Sequence, residues 1–335
     1  MSEINSAEKF IISSSRVTEL SPDRVTWIRI GEDSDGQRVD NFFLRVAKGV
    51  PKSHIYRLLR SGEVRVNKKR VKAETRLALD DIVRVPPIRV PQKRDLVPRA
   101  APISDDTLPI LFEDEHLLIV DKPAGLACHG GSGIAFGLIE RLPNQPFLEL
   151  AHRLDRDTSG AIIVCKSRKA LVRLQKSMRE GGIEKHYRTL VKGDWVNDRQ
   201  HVKLPLFKYV TKEGERRVRV DPEKGVPSHS IFTLIRRYGD VSFLDVELLT
   251  GRTHQIRVHA AESGHPLVGD DKYGDFDFNR EVSKGLLGIP FRRMFLHSYS
   301  LAFEHPVTHE KMKIESPLPE ACEELIRVLN ERKTV

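Results

Sequence analysis

The chain has 335 residues, of which 39% are hydrophobic and 31% charged, with a net charge of +9. That length allows a large core and more than one domain, and no apolar run approaches the ~20 residues of a membrane span. Glu3 and Glu8 stand where a secretory leader would be basic, and Cys128, Cys165 and Cys322 show no CxxC or CxxH spacing. No signal peptide, zinc knuckle or disulfide framework is therefore expected, and a reducing, cytoplasmic setting is.

Residues 1–35 read as an N-terminal extension, expected to be disordered over its first twenty residues, where patterning is weakest. The charge divides unevenly after it. Residues 1–37 carry 4 Lys/Arg against 7 Asp/Glu, residues 38–100 carry 17 against 6, and residues 101–335 carry 35 against 34. One short segment thus holds the whole basic excess, and such self-repulsion is relieved by a polyanion, usually a nucleic acid. From Arg38, the residues Val39, Phe42, Phe43 and Val46 follow the i, i+3, i+4, i+7 spacing of a one-sided helix. A second helix is expected after Pro51, with Ser53 as N-cap, Gly62 past its end, Ile55, Leu58 and Leu59 inward, and Lys52, Arg57 and Arg60 outward. Val64-Arg65-Val66, a turn at Asn67-Lys68 and Arg70-Val71-Lys72 read as a basic hairpin, and Asp80-Asp81 opens the strand Ile82–Val85. This order, with R-x-D at its start and G-x-V-x-V-N after the second helix, resembles the S4 RNA-binding domain and covers residues 36–85. The resemblance implies an RNA-facing surface of Lys52, Arg57, Arg60, Lys68, Lys69 and Arg70.

Residues 86–106 form a Pro-rich basic linker by composition. A second domain is expected over 107–325. Ile110–Phe112 and Leu117–Val120 read as a hairpin, after which Asp121 to Leu126 breaks into a loop. Ala161–Cys165 reads as a buried strand, preceded by His152-Arg153-Leu154-Asp155-Arg156-Asp157-Thr158-Ser159-Gly160. A helix beginning at Ser167 would bury Leu171, Leu174 and Met178 and end at Gly181-Gly182. Glu184–Gly193 reads as a strand with Tyr187, Thr189 and Val191 on one face, and Ser228–Val246 as two strands about Tyr238-Gly239-Asp240. Gly251–His259 looks like a helix start with Thr253 as N-cap, followed by the turn-rich loop His265–Gly274. The whole is an α+β fold: a mixed, mainly antiparallel sheet domain preceded by a small α/β domain.

The charged nonapeptide has a bland reading, since Asp, Thr, Ser and Gly are turn residues. Its company argues for more. HRLDRDTSG, preceded by DKPAGL and followed in order by K-x-Y, GRTHQIRVH and HPLVGDDKYG, resembles the RluA/RluC family of RNA pseudouridine synthases over residues 107–320, including Leu296–Tyr299 and Glu304–Pro306. An S4 module ahead of such a domain looks most like the RluC branch, which implies action on 23S ribosomal RNA, free or in the assembling large subunit, by a monomer with no membrane partner.

Pseudouridine formation breaks the N1–C1′ bond, turns the uracil and rejoins it through C5. There is no net redox change or hydrolysis, so neither cofactor nor metal is expected, and the spacing of His152, His186, His254, His259 and His265 fits no usual metal site. The reaction needs a carboxylate at the sugar of a flipped base, as nucleophile, as electrostatic support or as base at C2′. The resemblance places that role on Asp155 and pairs it with Arg257, leaving Asp157 to brace the loop. It implies base flipping by Arg153 and stacking on the uracil by Tyr187, whose part in proton removal from C5 is left open. Lys122, His152, Gln255 and Ile256 are expected as substrate contacts. Two rival readings stand beside this one: a non-enzymatic RNA-binding protein with a relic domain, and a synthase for tRNA or small-subunit RNA.

Overall fold

The computed structural model describes residues 11–13, 20–31, 34–47, 49–90, 108–130, 136–143 and 147–332. Two compact units emerge, one built from Met1–Asp106, Asn144–Phe147 and Ser167–Lys169 and one from Thr107–Pro143, Leu148–Lys166 and Ala170–Val335.

The small unit runs β1 (Ile11–Ser13), β2 (Thr26–Ile30), α1 (Val39–Val46), α2 (Lys52–Ser61), β3 (Arg65–Val66), β4 (Lys69–Arg70) and β5 (Ile82–Val85). Its sheet has the order β1-β2-β5-β3-β4. Phe42 and Phe43 of α1 and Ile55, Leu58 and Leu59 of α2 bury against Ile28, Ile30, Val64, Val83 and Val85. Asn67 and Lys68 take φ values of 48° and 67°, so the hairpin turn is left-handed at both central positions, as the twist of a two-residue β-turn requires. Gly62 ends α2 at φ +74°, its N–H closing on the Leu58 and Leu59 carbonyls. Pro51, with no side-chain cap, precedes the helix in place of the expected Ser53. Its ring fixes φ for entry into the first turn.

The small unit is larger than residues 36–85. β2 pairs antiparallel with β5 from Thr26↔Val85 to Arg29↔Ile82, with Ile28 and Ile30 fully buried, so this part of the extension is ordered. Ile88, expected in the linker, is buried in the same core and its N–H donates to Ser21 O at 3.1 Å. The rest of the expected linker from Pro91 to Asp106, and most of residues 1–20, lie outside the described residues.

In the large unit come β6 (Ile110–Glu113), β7 (Leu117–Lys122), α3 (Leu138–Arg141), β8 (Glu149–Leu150), β9 (Ser159–Cys165), α4 (Arg168–Arg179), β10 (Ile183–Lys192), β11 (Arg199–Val202), β12 (Leu206–Val210), β13 (Arg216–Val220), β14 (Ser230–Arg237), β15 (Val241–Leu248), α5 (Gln255–Glu262), α6 (Phe276–Val282), β16 (Leu296–Glu304), β17 (Lys311–Glu315) and α7 (Glu320–Arg332). The main sheet has the order β11-β14-β15-β10-β16-β9-β7-β6, with β17 on β16 and β8 on β9. Its pairs are antiparallel except β9 with β16, where His297 meets Ser159 and Ser298 meets Gly160 in parallel. The architecture is thus α+β with a mixed, mainly antiparallel sheet. β12 and β13 form a separate hairpin.

Three local expectations are corrected. β7 continues through Asp121 and Lys122, whose partners on β9 are Ala161 and Gly160. α5 starts behind His254, at φ +54°, and not behind Thr253 as N-cap. α7 carries buried Leu325 and Leu329, so the unit extends past residue 325. No helix among the described residues is long and apolar enough to cross a membrane.

Candidate active site

The loop before β9 carries Asp155 and is pinned on both sides of it. His152 Nε2 accepts the Ile163 N–H of β9 at 3.1 Å. Cys128 Sγ accepts the Leu154 N–H at 3.3 Å and donates to Leu154 O at 3.2 Å. Beyond Asp155, the Arg156 carbonyl accepts from Lys122 Nζ at 3.0 Å and from the Gly125 N–H at 2.9 Å. The Thr158 N–H turns back onto Asp155 O at 3.2 Å. Gly160 then enters β9 at φ +109°, where a Cβ would stand 2.3 Å from Ser298 O; a glycine is what lets the parallel strand come this close. Ser159 Oγ accepts from Arg293 at 2.6 Å and bonds His297 Nδ1 at 2.9 Å, locking the loop to β16.

Two residues expected to touch substrate spend their polar atoms on the protein; Lys122 lies outside the cleft lining and Gln255 is part of it. Lys122 is fully buried, and its other two donors are spent on Pro123 O at 2.9 Å and Leu126 O at 2.8 Å. Burial lowers its pKa to about 8. Gln255 is buried with its amide fully used: Oε1 accepts from Thr250 Oγ1 at 2.8 Å and the Arg252 N–H at 3.0 Å, and Nε2 donates to His229 O at 3.0 Å and Ser230 Oγ at 2.8 Å. His152 lines the cleft but has spent Nε2 on the backbone, and burial drives its pKa down to about 4, so the ring is a neutral anchor.

The cleft itself encloses about 590 Å³, within the range of small-ligand sites. Asp155, Arg153, Tyr187, Ile256 and Arg257 line it. The Asp155 side chain is 26% exposed; Oδ2 lies 3.8 Å from an Arg257 guanidinium nitrogen and Oδ1 lies 3.9 Å from His254 Nε2. Both lie beyond hydrogen-bond length, and the first is a contact between opposite charges. Arg257 has its close partner elsewhere. Its Nε and one terminal nitrogen each reach Asp270 at 2.6 Å, and the same terminal nitrogen lies 3.1 Å from Asp271. Burial alone would lower the Arg257 pKa, but Asp270, Asp155 and Asp271 together hold it above the ordinary value. Burial likewise works to raise the Asp270 pKa and loses to the Arg257 bonds, which keep it lowered. The expected pair of Arg257 with Asp155 is therefore the longer of two, and Asp270 sets the guanidinium's orientation.

Tyr187 is 5% exposed, beside an irregularity in the β10–β16 register. Burial, with Asp155 adding to it, pushes its phenol well above the ordinary range, so it is neutral at physiological pH. Arg153 is exposed on the cleft wall and has no hydrogen bond or ion pair to any described residue. Asp157 pairs with its neighbour Arg156 at 3.2 Å and is not among the residues lining the cleft. In the small unit, Lys52, Arg57, Arg60, Lys68, Lys69 and Arg70 are all exposed. Asp40 of the R-x-D motif is buried and holds Arg38 at 2.7 Å and Tyr56 Oη at 3.1 Å, a structural clasp.

Sequence reasoning missed Asp270, Tyr273, His254 and Cys128. The first two lie in the turn-rich loop it singled out without assigning roles, and His254 lies inside GRTHQIR. Cys128 carried no signal.

Both units resemble known proteins. Residues 116–262 match the family described as RNA pseudouridylate synthase, a stretch that holds Asp155, Tyr187 and Arg257, and residues 37–83 match the S4 domain. The chain is 48% identical over 316 residues to ribosomal large subunit pseudouridine synthase C of Pasteurella multocida, covering 92% of this chain and 95% of that one. It is 46% identical over 308 residues to the protein of the same name from Escherichia coli K12, covering 90% and 96%. Among solved structures, human RNA pseudouridylate synthase domain containing 1 superposes with a TM-score of 0.52 at 26% identity, over 67% of this chain and 95% of that one.

Proposed function

This chain belongs to the family of RNA pseudouridylate synthases, and from that premise we propose that it converts uridines of large-subunit ribosomal RNA to pseudouridine, with Asp155 as the carboxylate that acts at the ribose. One observation carries the assignment of Asp155: it is the sole carboxylate among the described residues lining the cleft, facing Arg153, Arg179, Lys185, Lys208, Arg252 and Arg257. A cleft so rich in cations suits a polyanion, and one carboxylate in it suits chemistry at a sugar carbon.

On this reading the pinned backbone on both sides of Asp155 holds its carboxyl in one place while the substrate moves. Arg257, aimed by Asp270, supports the carboxylate's charge from behind without closing a short bond that would occupy its lone pairs. Tyr187 stacks on the uracil; a phenol that keeps its proton serves better as a platform than as a base. Arg153, with no partner of its own, is free to fill the gap left when the base leaves the RNA. The cations of the small unit hold the phosphate backbone. We place the enzyme in the cytoplasm as a monomer, where it meets ribosomal RNA free or during assembly.

The experiment is pseudouridine mapping in ribosomal RNA from cells lacking the chain and from cells complemented with it or with Asp155→Asn. A large-subunit mark should vanish without the chain and return with the native protein alone. Purified Asp155→Asn should bind RNA within about 3-fold of normal while turnover falls at least ~10³-fold, or about 4 kcal/mol of barrier. Restoration of the mark by Asp155→Asn would overturn the role of that residue; loss of a mark in tRNA or small-subunit RNA instead would overturn the substrate.

A further inference from the structure

His254 is the second group facing Asp155. Its backbone holds φ +54° and ψ 21°, a left-handed conformation that costs a non-glycine residue about 1 kcal/mol and is kept where surroundings enforce it. The side chain is 12% exposed and lines the cleft. It makes no capping bond to the helix that follows.

The ring's proton can be assigned from its neighbours. Nδ1 lies 2.7 Å from Tyr273 Oη, and the same oxygen accepts the Val218 N–H at 2.8 Å. Burial pushes the Tyr273 phenol up to about 12, so it keeps its proton. The phenol's own proton needs an acceptor, and among the described residues His254 Nδ1 is the one within hydrogen-bond reach, which assigns Nδ1 as the bare nitrogen of the ring. Burial also lowers the His254 pKa, favouring the neutral ring. The N–H is left on Nε2, 3.9 Å from Asp155 Oδ1.

An oxygen atom about 2.8 Å from both Nε2 and Oδ1 fits across that gap. Of the substrate atoms attached to C1′ and C2′, N1 and O4′ carry no proton for the carboxylate. The 2′-hydroxyl alone accepts from Nε2–H and donates to Asp155 at once. We propose that His254, fixed by Tyr273, is a substrate-binding residue whose Nε2–H donates to the 2′-oxygen of the target uridine's ribose while Asp155 faces the adjoining carbons. The proposal rests on Asp155 acting at the ribose. It makes the enzyme read the sugar as well as the base at its reactive carbon.

The test reads binding in the Asp155→Asn background, where no turnover intervenes. The probe is a large-subunit RNA stem-loop spanning a mapped mark, carrying uridine or 2′-deoxyuridine at the target. Loss of the 2′-hydroxyl should weaken binding about 3- to 10-fold, the worth of one hydrogen bond. Adding His254→Ala should remove that sugar penalty, and Tyr273→Phe, which keeps volume and deletes the orienting proton, should shrink it if His254→Ala does not fold. An equal penalty with and without His254, no penalty in either protein, or an equal weakening of both probes by His254→Ala would overturn the proposal. Failure of the underlying reading shows separately, as conversion by Asp155→Asn.

Discussion

The two units use the same cations in opposite ways. In the small unit, Arg60, Lys68 and Lys69 stand exposed with no partner among the described residues, on a helix and a turn that bury only their apolar side. In the large unit, Lys122 and Arg257 are fully buried; Lys122 spends its donors on carbonyls, and Arg257 spends Nε and one terminal nitrogen on Asp270 and Asp271. An exposed cation attracts phosphate wherever it comes near. A buried one, with its hydrogen bonds made, holds the backbone or the charge beside it in place. On the proposed reading, affinity is supplied by groups that the fold leaves loose, and chemistry by groups that it locks.

Acid should separate the units most strongly. His152, His259 and His297 of the large unit each have a pKa lowered to about 4, with burial the largest cause in all three. Their unfolded value is near 6.5, so between pH 6.5 and 4 the unfolded chain binds more protons than the folded one, and stability falls as pH drops through that window. At about 1.4 kcal/mol per pH unit for each group, the three together give a slope approaching 4 kcal/mol per unit at its steepest. The small unit's core contains no histidine. Each unit holds one tryptophan, Trp27 and Trp195. Fluorescence melts of Trp27→Phe and Trp195→Phe between pH 7 and 5 should show the Trp195 transition moving down and the Trp27 transition nearly still. Parallel movement of both would break the contrast.

Lys122→Met tests the locked side next. It removes three donors to buried carbonyls and keeps the stem's volume, which should cost about 2–4 kcal/mol of large-unit stability. Because one of those carbonyls is Arg156 O, beside Asp155, turnover of the folded fraction should fall while RNA affinity holds. If affinity falls and turnover per bound RNA does not, Lys122 is a substrate contact after all.

These buried roles mark the limit of what the sequence discloses. Periodicity showed α1, α2, the Asn67-Lys68 hairpin and β10, each alternating apolar and polar residues at its own period, while β9 showed as an unbroken apolar run. β2 escaped: Trp27-Ile28-Arg29-Ile30 alternates as a strand should, but it lies in an acidic stretch and its partner β5 is more than fifty residues away. At the site, Asp155 and Arg257 were legible through ordered motifs. Lys122 and Gln255 were also singled out, but whether a polar side chain keeps its donors and acceptors for a ligand or spends them on the protein depends on carbonyls and amides brought together by the fold. Asp270 was hidden for the same reason, since nothing local says that a loop Asp will meet an Arg thirteen residues before it.

The smallest effect concerns the loose side. Replacing Arg60, Lys68 and Lys69 together by alanine should leave both melting transitions unmoved, because none of the three is buried or paired among the described residues. With fewer phosphates neutralised, fewer counterions leave the RNA on binding, so the slope of log affinity against log salt should flatten by about 2. Turnover at saturating RNA should stay within about 2-fold, since none of the three lines the cleft. Titrations from low to physiological salt with one RNA fragment would measure the slope, and melts and saturating assays of the same protein the other two quantities. An unchanged slope would mean that these cations are a solvated face, and that the cleft's own Arg153, Arg179, Lys185 and Lys208 supply the affinity as well as the chemistry.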